Sequence, residues 1–271
     1  MNTPAEFLAA YAAIGEKKSK LPIGRMILLG ILAGFLIGMG AVASTTGSFA
    51  IQNPGLQKVV AGLLFPFGLI LVIYTGAELF TGNCLITISV LGKKTTLGGM
   101  AKNLFFVYLG NFIGSILLAA ACAFFGQYAL GDGALAVAVI KTAAAKCSMS
   151  FDKALVFGIL CNILVCIGVA CAIMSKSPAG KAIGAFLPVA FFVMAGFEHS
   201  IANMYYIPAG LFANSVTAYH EAAVAAGIDL TNLTWGGFFL RNLLPVTIGN
   251  ILGGCGVAAL LWFGHGGTDK N

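Results

Sequence analysis

Charged residues are scarce in this chain, and long apolar runs take their place. Only 9% of its 271 residues are charged, whereas soluble domains carry about 25%. Hydrophobic residues make up 59% of the sequence, and the mean hydropathy is +0.96. A globular core cannot bury that much apolar sequence, so the composition excludes a soluble protein and predicts a membrane protein with several spans. Segments of alternating hydrophobicity are also missing, which excludes a transmembrane β-barrel.

The sequence also lacks the signatures of enzymes and of metal or cofactor sites. It contains neither Gly-x-Ser-x-Gly nor His-Glu-x-x-His, and its Gly-Lys pairs lack the rest of a phosphate-binding loop. The seven cysteines are odd in number and form no Cys-x-x-Cys pair, so no disulfide framework is expected. The net charge of +6 is spread over the flanks of the apolar runs. We therefore predict a protein without enzymatic activity, cofactor, metal or nucleic-acid partner.

Six apolar regions are long enough to cross a bilayer, for which about 20 residues suffice. Glycine accounts for 36 of the 271 residues, which suits closely packed membrane helices. The whole chain, 1–271, is expected to form one transmembrane channel domain of the all-α class. The predicted spans are residues 22–44, 58–92, 102–129, 153–175, 181–213 and 235–263.

Residues 1–20 precede these spans and lack the apolar stretch of a signal peptide. Within them, residues 4–16 are helix-prone and amphipathic, and a basic run follows. We predict an amphipathic N-terminal helix that lies on the membrane surface rather than crossing the membrane.

Basic residues are distributed unevenly over the two sets of flanks. Ten of the 15 share the side on which the chain begins, so the positive-inside rule places both termini in the cytoplasm of a multi-pass cell-membrane protein. The ten are Lys17, Lys18, Lys20, Arg25, Lys93, Lys94, Lys102, Lys176, Lys181 and Lys270. The opposite loops hold Lys58, Lys141, Lys146, Lys153 and Arg241.

The second and fifth regions are too long for one crossing and carry polar groups in their middle. Broken helices fit, since irregular backbone at that depth is tolerated only where it lines a cavity or is buried in protein. The polar groups are Glu78-Leu79-Phe80-Thr81-Gly82-Asn83 in one and Glu198-His199-Ser200-Ile201-Ala202-Asn203 in the other.

The two halves of the chain, 22–129 and 150–264, repeat each other. Each half has three spans, and this odd number forces the halves into opposite orientations. Inverted repeats with paired broken helices are typical of transporters and channels whose site lies near the midplane. The matches are Gly76-x-Glu78-x-x-x-x-Asn83 with Gly196-x-Glu198-x-x-x-x-Asn203, and Lys102-Asn103 and Gly110-Asn111 with Arg241-Asn242 and Gly249-Asn250.

His199 is the only histidine at membrane depth in the predicted topology. An ionisable residue there suggests function, and an imidazole can donate to an anion or relay a proton. A purely structural hydrogen bond is the competing interpretation. Thr81 can present a hydroxyl to the same point from the opposite break. Both are therefore assigned to the pore.

The remaining polar residues at the breaks have a second, structural interpretation. Glu78 and Glu198 can relay protons, but such carboxylates more often tie down a broken helix. Asn83 and Asn203 are predicted to cap the second half-helices. Half-helix N-termini carry a positive partial charge, which favours an anion over a cation. Lys146, taken alone, is interpreted as a solvated charge in an outer loop.

At the two breaks the sequence resembles the formate/nitrite transporter family of small-anion channels. The resemblance covers essentially the whole chain. It is carried by Tyr74-Thr75-Gly76-Ala77-Glu78-Leu79-Phe80-Thr81-Gly82-Asn83, by Ala195-Gly196-Phe197-Glu198-His199-Ser200-Ile201-Ala202-Asn203-Met204, and by Asn242-Leu243-Leu244-Pro245-Val246-Thr247-Ile248-Gly249-Asn250.

The resemblance implies an aquaporin-like fold and a homopentamer in the lipid bilayer, with one pore per subunit. It implies a substrate pathway along Thr81, His199, Lys146, Glu198 and Asn203, with Lys146 drawing anions into the outer vestibule. It further implies a cytoplasmic constriction at Leu79, Phe80 and Val165, and an external one at Phe65, Leu69 and Phe192.

Formate, nitrite and hydrosulfide are the substrates that the resemblance implies. Formate-type members tend to have Asp at the position of Glu78 and Ser at that of Gly82, so this chain favours hydrosulfide. A weak acid can be protonated and cross an apolar constriction as a neutral molecule, whereas a bare anion is penalised there. A water or glycerol channel is the main alternative, although neither break contains Asn-Pro-Ala. A membrane enzyme or a scaffold explains the buried Glu and His residues less well.

Overall fold

The computed structural model describes residues 1–266, and these fold entirely into helices and connecting loops. Lys270, one of the basic residues that set the predicted orientation, lies outside the described residues. Within them, six helical stretches are long and apolar enough to cross a membrane. The chain is therefore a multi-pass membrane protein, as its composition predicts.

Four of the six spans are continuous helical stretches without a break. The last of them starts with a π-helical segment, Gly237–Leu243, which continues directly into an α-helix. All four lie within a few residues of the predicted ranges. They are α2 (Ile23–Ser48), α7 (Leu97–Phe124), α9 (Phe151–Met174) and, after the π-helical segment, α13 (Leu244–Gly264).

The second and fifth regions are interrupted at the polar segments. In each, a helix ends at a glycine with positive φ, Gly76 at 66° and Gly196 at 74°, a conformation that glycine adopts without strain. The chain then runs extended for a few residues and re-enters a helix. The second region consists of α3 (Pro54–Leu64), α4 (Phe67–Thr75), α5 (Phe80–Asn83) and α6 (Ile86–Leu91), and the fifth of α10 (Pro178–Ala195) and α11 (Ser200–Asn214).

Close glycine contacts hold the uninterrupted helices in two pairs. Helix α2 packs along α7, where a Cβ on Gly34 would collide with the backbone of Asn111. Helix α9 packs along α13 in the same way, with Gly249 against the backbone of Leu155. Small residues thus let the backbones approach, as expected for membrane helices.

The N-terminal helix α1 (Pro4–Ser19) packs on the protein. Its apolar side is buried against the protein, mainly against α6. The Tyr11 hydroxyl donates to the Gly82 carbonyl at 3.3 Å, and the Ser89 hydroxyl donates to the Tyr11 carbonyl at 3.2 Å. The amphipathic pattern identified the buried side but not its partner, because protein and lipid both accept apolar side chains.

Replacing Tyr11 by alanine should release α1 from the bundle. The substitution removes a large buried side chain, and cleavage of a transiently opened segment follows the population of the open state. We expect trypsin to cut after Lys17, Lys18 or Lys20 about tenfold faster in detergent-purified protein. Ala13→Ser, on the exposed side of α1, is the matched control and should be cut at the wild-type rate. Equal cleavage of both variants would contradict this docking.

A further helix, α8 (Ala134–Cys147), joins the two halves and packs on α11. A short helix, α12 (Thr217–Ala225), follows α11 and also contacts α8. Lys146 lies in the last turn of α8, so it is held by a helix rather than by a mobile loop.

Candidate functional site

A buried hydrogen bond joins the two interrupted regions at their breaks. Thr81 Oγ1 and His199 Nε2 are 2.9 Å apart, although 118 positions separate the residues in the sequence. Thr81 is fully buried, and His199 is 3% exposed. The structure therefore brings together the two residues that the sequence assigns to the same point.

His199 is oriented by the start of α11. It is the residue before the helix, and its Nδ1 accepts a hydrogen bond from the Ala202 amide at 3.0 Å. Since Nδ1 accepts, the neutral tautomer that fits both contacts carries its hydrogen on Nε2, facing Thr81. The ring also stacks on Phe192, with centroids 5.9 Å apart. The site thus holds an N–H donor at a fixed position in an apolar surrounding.

Glu198 lies beside His199 in a network of hydrogen bonds. Lys146 Nζ donates to Glu198 Oε1 at 2.7 Å, and Asn203 Nδ2 donates to Oε2 at the same distance. Asn242 bridges the network, since its amide donates to the Lys146 carbonyl at 3.1 Å and its Oδ1 accepts from Asn203 at 2.7 Å. The Lys146 side chain is only 16% exposed, so it is not the solvated charge that its position in the sequence suggests.

Glu78 has the same set of partners at the other break. Lys18 Nζ donates to Glu78 Oε1 at 2.7 Å, and Asn83 Nδ2 donates to Oε2 at 2.6 Å. Asn103 donates to the Lys18 carbonyl at 3.0 Å and accepts from Asn83 at 2.8 Å. Both carboxylates are thus ion-paired and hydrogen-bonded, which agrees with the interpretation that they tie down the breaks.

Asn83 and Asn203 do not cap the second half-helices, so that prediction is wrong. Both lie inside helices, where their side chains bond to the carboxylates. The first amide of each second half-helix is satisfied from another span instead: Asn111 Oδ1 accepts from the Phe80 amide, and Asn250 Oδ1 from the Ser200 amide, each at 2.9 Å. The acceptors come from α7 and α13, which no local capping pattern reveals.

Lys18 is a member of the site that sequence reasoning missed. Its distance from Lys146 along the chain, 128 positions, equals that between Gly30 and Gly158 in the matching spans. This equal spacing is a signal in the sequence that identifies Lys18 as the residue matching Lys146. Lys18 in α1 and Lys146 in α8 thus pair with Glu78 and Glu198 in the same way.

Aromatic rings fill the space between Lys146 and His199. Phe65 and Phe192 meet edge to face with centroids 5.7 Å apart, and both are buried. Tyr206 stacks on Phe65 at 6.5 Å, and its ring lies 5.4 Å from the Lys146 ammonium. The sequence analysis missed Tyr206, because an aromatic residue in an apolar helix gives no distinct signal.

On the Lys18 side, a cavity of about 280 Å³ reaches the break. Leu79, Gly82 and Val169 line it, together with Glu78 and Tyr11. Leu69 lines the same cavity, although the family resemblance assigns it to the external constriction. The other two residues of the implied cytoplasmic constriction are also buried: Phe80, whose ring meets Tyr108 edge to face at 4.7 Å, and Val165.

Cysteines support the backbone of the first break. The Cys84 thiol donates to the Phe80 carbonyl at 3.6 Å, and the Cys166 thiol to the Thr81 carbonyl at 3.5 Å. All seven cysteines are free thiols. Five of them are buried, and Cys171 and Cys255 are half-buried.

Comparison with known proteins identifies relatives over the full length of this chain. The sequence profile of the formate/nitrite transporter family matches residues 5–264. A probable formate transporter of Methanothermobacter thermautotrophicus is 38% identical over 280 residues, which cover 96% of each chain. The formate channel FocA of Escherichia coli K12 is 38% identical over 256 residues, which cover 91% of this chain and 89% of FocA.

Solved structures are similar over the same length. A pentameric formate channel with formate bound superposes with a TM-score of 0.79 at 34% identity, and the match covers 90% of this chain and 96% of that one. An ion channel of the FNT family gives a TM-score of 0.81 at 28% identity, over 96% and 99% of the two chains.

Proposed function

Because the chain belongs to the formate/nitrite transporter family, whose members are transporters and channels rather than enzymes, we propose that it is a channel for small monovalent weak-acid anions. The observation that carries this proposal is the buried contact between Thr81 and His199. It offers a hydroxyl and an imidazole N–H to a small anion between two apolar segments. The substrate pathway comprises Thr81, His199, Lys146, Glu198 and Asn203.

The chemistry of the path explains why weak acids are the substrates. A bare anion in an apolar constriction loses its hydration without a compensating partner. A weak acid crosses such a constriction in its neutral form and meets hydrogen-bond donors again at His199. The constrictions are Leu79, Phe80 and Val165 on the cytoplasmic side, and Phe65, Leu69 and Phe192 on the external side. Leu69 lies on the same cavity as Leu79, so of the three residues assigned to the external constriction it has the least structural support.

Formate is the first candidate substrate, since similar proteins are named as formate channels and transporters. Hydrosulfide is the second. It is favoured by the resemblance, because formate-type members tend to have Ser at the position of Gly82 and Asp at that of Glu78. Nitrite is the third. Each is the anion of a weak acid, so one mechanism serves all three.

The fold belongs to the same proposal. We infer two inverted three-span repeats in an aquaporin-like arrangement, with both termini in the cytoplasm. The matched networks around Glu78 and Glu198 support the repeat, since the lysine and asparagine that donate to one carboxylate have counterparts at the other. The similarity to a pentameric channel supports a homopentamer with one pore in each subunit.

Flux through proteoliposomes tests the function. Purified protein should carry formate, hydrosulfide and nitrite at least about tenfold faster than chloride, because a strong-acid anion cannot cross as a neutral molecule. The flux of the weak acids should rise as the pH falls from 8 to 5, since a larger fraction of each acid is then protonated. Protein-free liposomes give the background permeation of the neutral acids.

Two results would contradict the proposal. Chloride flux as fast as formate flux would exclude the weak-acid mechanism. Flux of water or glycerol without any anion flux would favour a neutral-solute channel, which shares the broken-helix plan.

A further inference from the structure

The family resemblance makes the Lys146 ammonium the anion-attracting group. In this structure the carboxylate of Glu198 balances its positive charge. The ammonium donates to Glu198 at 2.7 Å, and both side chains are largely buried. A paired lysine and glutamate present little net charge to an anion approaching from a distance. We call the pore opening nearest to Lys146 the mouth on the Lys146 side. Another positively charged group is therefore needed for anions to be attracted there.

Lys58 is a cation at that mouth, and it forms no ion pair within residues 1–266. Its Nζ lies 3.5 Å from the position of a Cβ built on Gly196, the glycine that ends α10 two residues before Glu198. Lys58 itself is exposed. Lys58 thus lies at the break, beside the ion pair, with a charge of its own.

Lys58 lies on the side of α3 that faces α10. Lys58, Gly62 and Phe65 follow each other at spacings of four and three, so they share one side of the helix. Gly62 packs on α10, and Phe65 belongs to the buried aromatic cluster. The exposed side of α3 is a different one and carries Leu56 and Val59.

The other break has no such cation. A Cβ built on Gly76, the counterpart of Gly196, meets no atom within 4 Å. The Lys18–Glu78 pair there is as compact as the Lys146–Glu198 pair. Among the described residues, no ammonium therefore approaches Gly76 as Lys58 approaches Gly196.

We infer that Lys58 is the anion-recruiting residue of the mouth on the Lys146 side, and that it makes capture of the substrate anion more effective from that side than from the other. This inference rests on the proposed function and adds a residue to it. A fixed charge beside the entrance raises the local concentration of anions and the rate of their entry. It does not shift the final equilibrium, because a channel without coupling only sets how fast equilibrium is reached.

The test measures formate uptake against concentration for Lys58→Gln and Lys58→Glu at low salt. A unit charge about 7 Å away in water changes the local anion concentration about threefold. We therefore expect the half-saturating formate concentration to rise about threefold for Lys58→Gln and about tenfold for Lys58→Glu, with the maximum flux unchanged. Both effects should shrink when the ionic strength is raised to about 0.5 M.

The controls separate a local effect from a general change of charge. Lys141→Gln and Lys141→Glu change an exposed lysine of α8 on the same side and should leave the half-saturating concentration unchanged. Spheroplasts and inverted membrane vesicles present opposite mouths to added formate. The Lys58 effect should appear in only one of the two preparations.

The outcomes distinguish this inference from the function on which it rests. Wild-type protein without weak-acid flux would overturn both. Wild-type flux combined with an unchanged half-saturating concentration in the Lys58 variants would overturn the role of Lys58 alone. An effect of equal size in spheroplasts and inverted vesicles, or one matched by the Lys141 variants, would overturn it as well.

Discussion

Asn250→Ala should destabilise the protein more than any exposed substitution of the same kind. The Asn250 amide donates to the carbonyls of Gly158 and Glu198 at 2.8 and 3.0 Å, and its Oδ1 accepts from the Ser200 amide. Alanine removes all three bonds, and each buried group left without a partner costs about 1–3 kcal/mol. We expect a loss of about 3 kcal/mol or more, measured as a lower thermal unfolding temperature of the purified protein in detergent.

Asn53→Ala is the matched control for this prediction. Asn53 accepts from the Leu56 amide at 3.0 Å in an exposed cap at the start of α3. Loss of such a cap costs about 1 kcal/mol. If the two alanine variants unfolded at the same temperature, the stabilising role of the three Asn250 hydrogen bonds at the second break would be refuted.

His199→Asn should preserve the fold and reduce transport. Asparagine at the residue before α11 can still accept from the Ala202 amide, as good capping residues do. It is too short to reproduce the contact with Thr81. Losing a hydrogen bond to a charged substrate costs about 1.5–3 kcal/mol, which corresponds to a flux about 10- to 100-fold lower.

The pH dependence of flux decides what His199 does. His199→Asn removes the ionisable side chain of the Thr81–His199 pair, so the pH profile of weak-acid flux should differ from that of the wild type. Thr81→Val provides the comparison, since it removes the hydroxyl and keeps the imidazole. Superimposable normalised profiles for wild type and His199→Asn would leave His199 a purely structural cap.

Particular residues show which contacts of the site the sequence indicated and which it did not. Glu78 and Glu198 stood out because two ionisable residues at membrane depth, in the same register, are improbable unless something pairs them. The sequence did not reveal that Lys18 and Lys146 are those partners, since each lies in a different helix outside the predicted spans. The same limit explains the error at Asn83 and Asn203: their position suggested a local cap, and the caps came from Asn111 and Asn250.

The sequence by itself determined the membrane class, the six spans and the two breaks. These features follow from composition and from spacing along the chain, which backbone geometry converts directly into helix length and helix side. The tertiary structure alone decided that Thr81 reaches His199 and that α1 docks on α6. It also decided that Lys146 is neutralised while Lys58 is not. Contacts between distant residues depend on how whole helices pack, and packing is set jointly by many side chains and by close glycine contacts, so no local pattern encodes it.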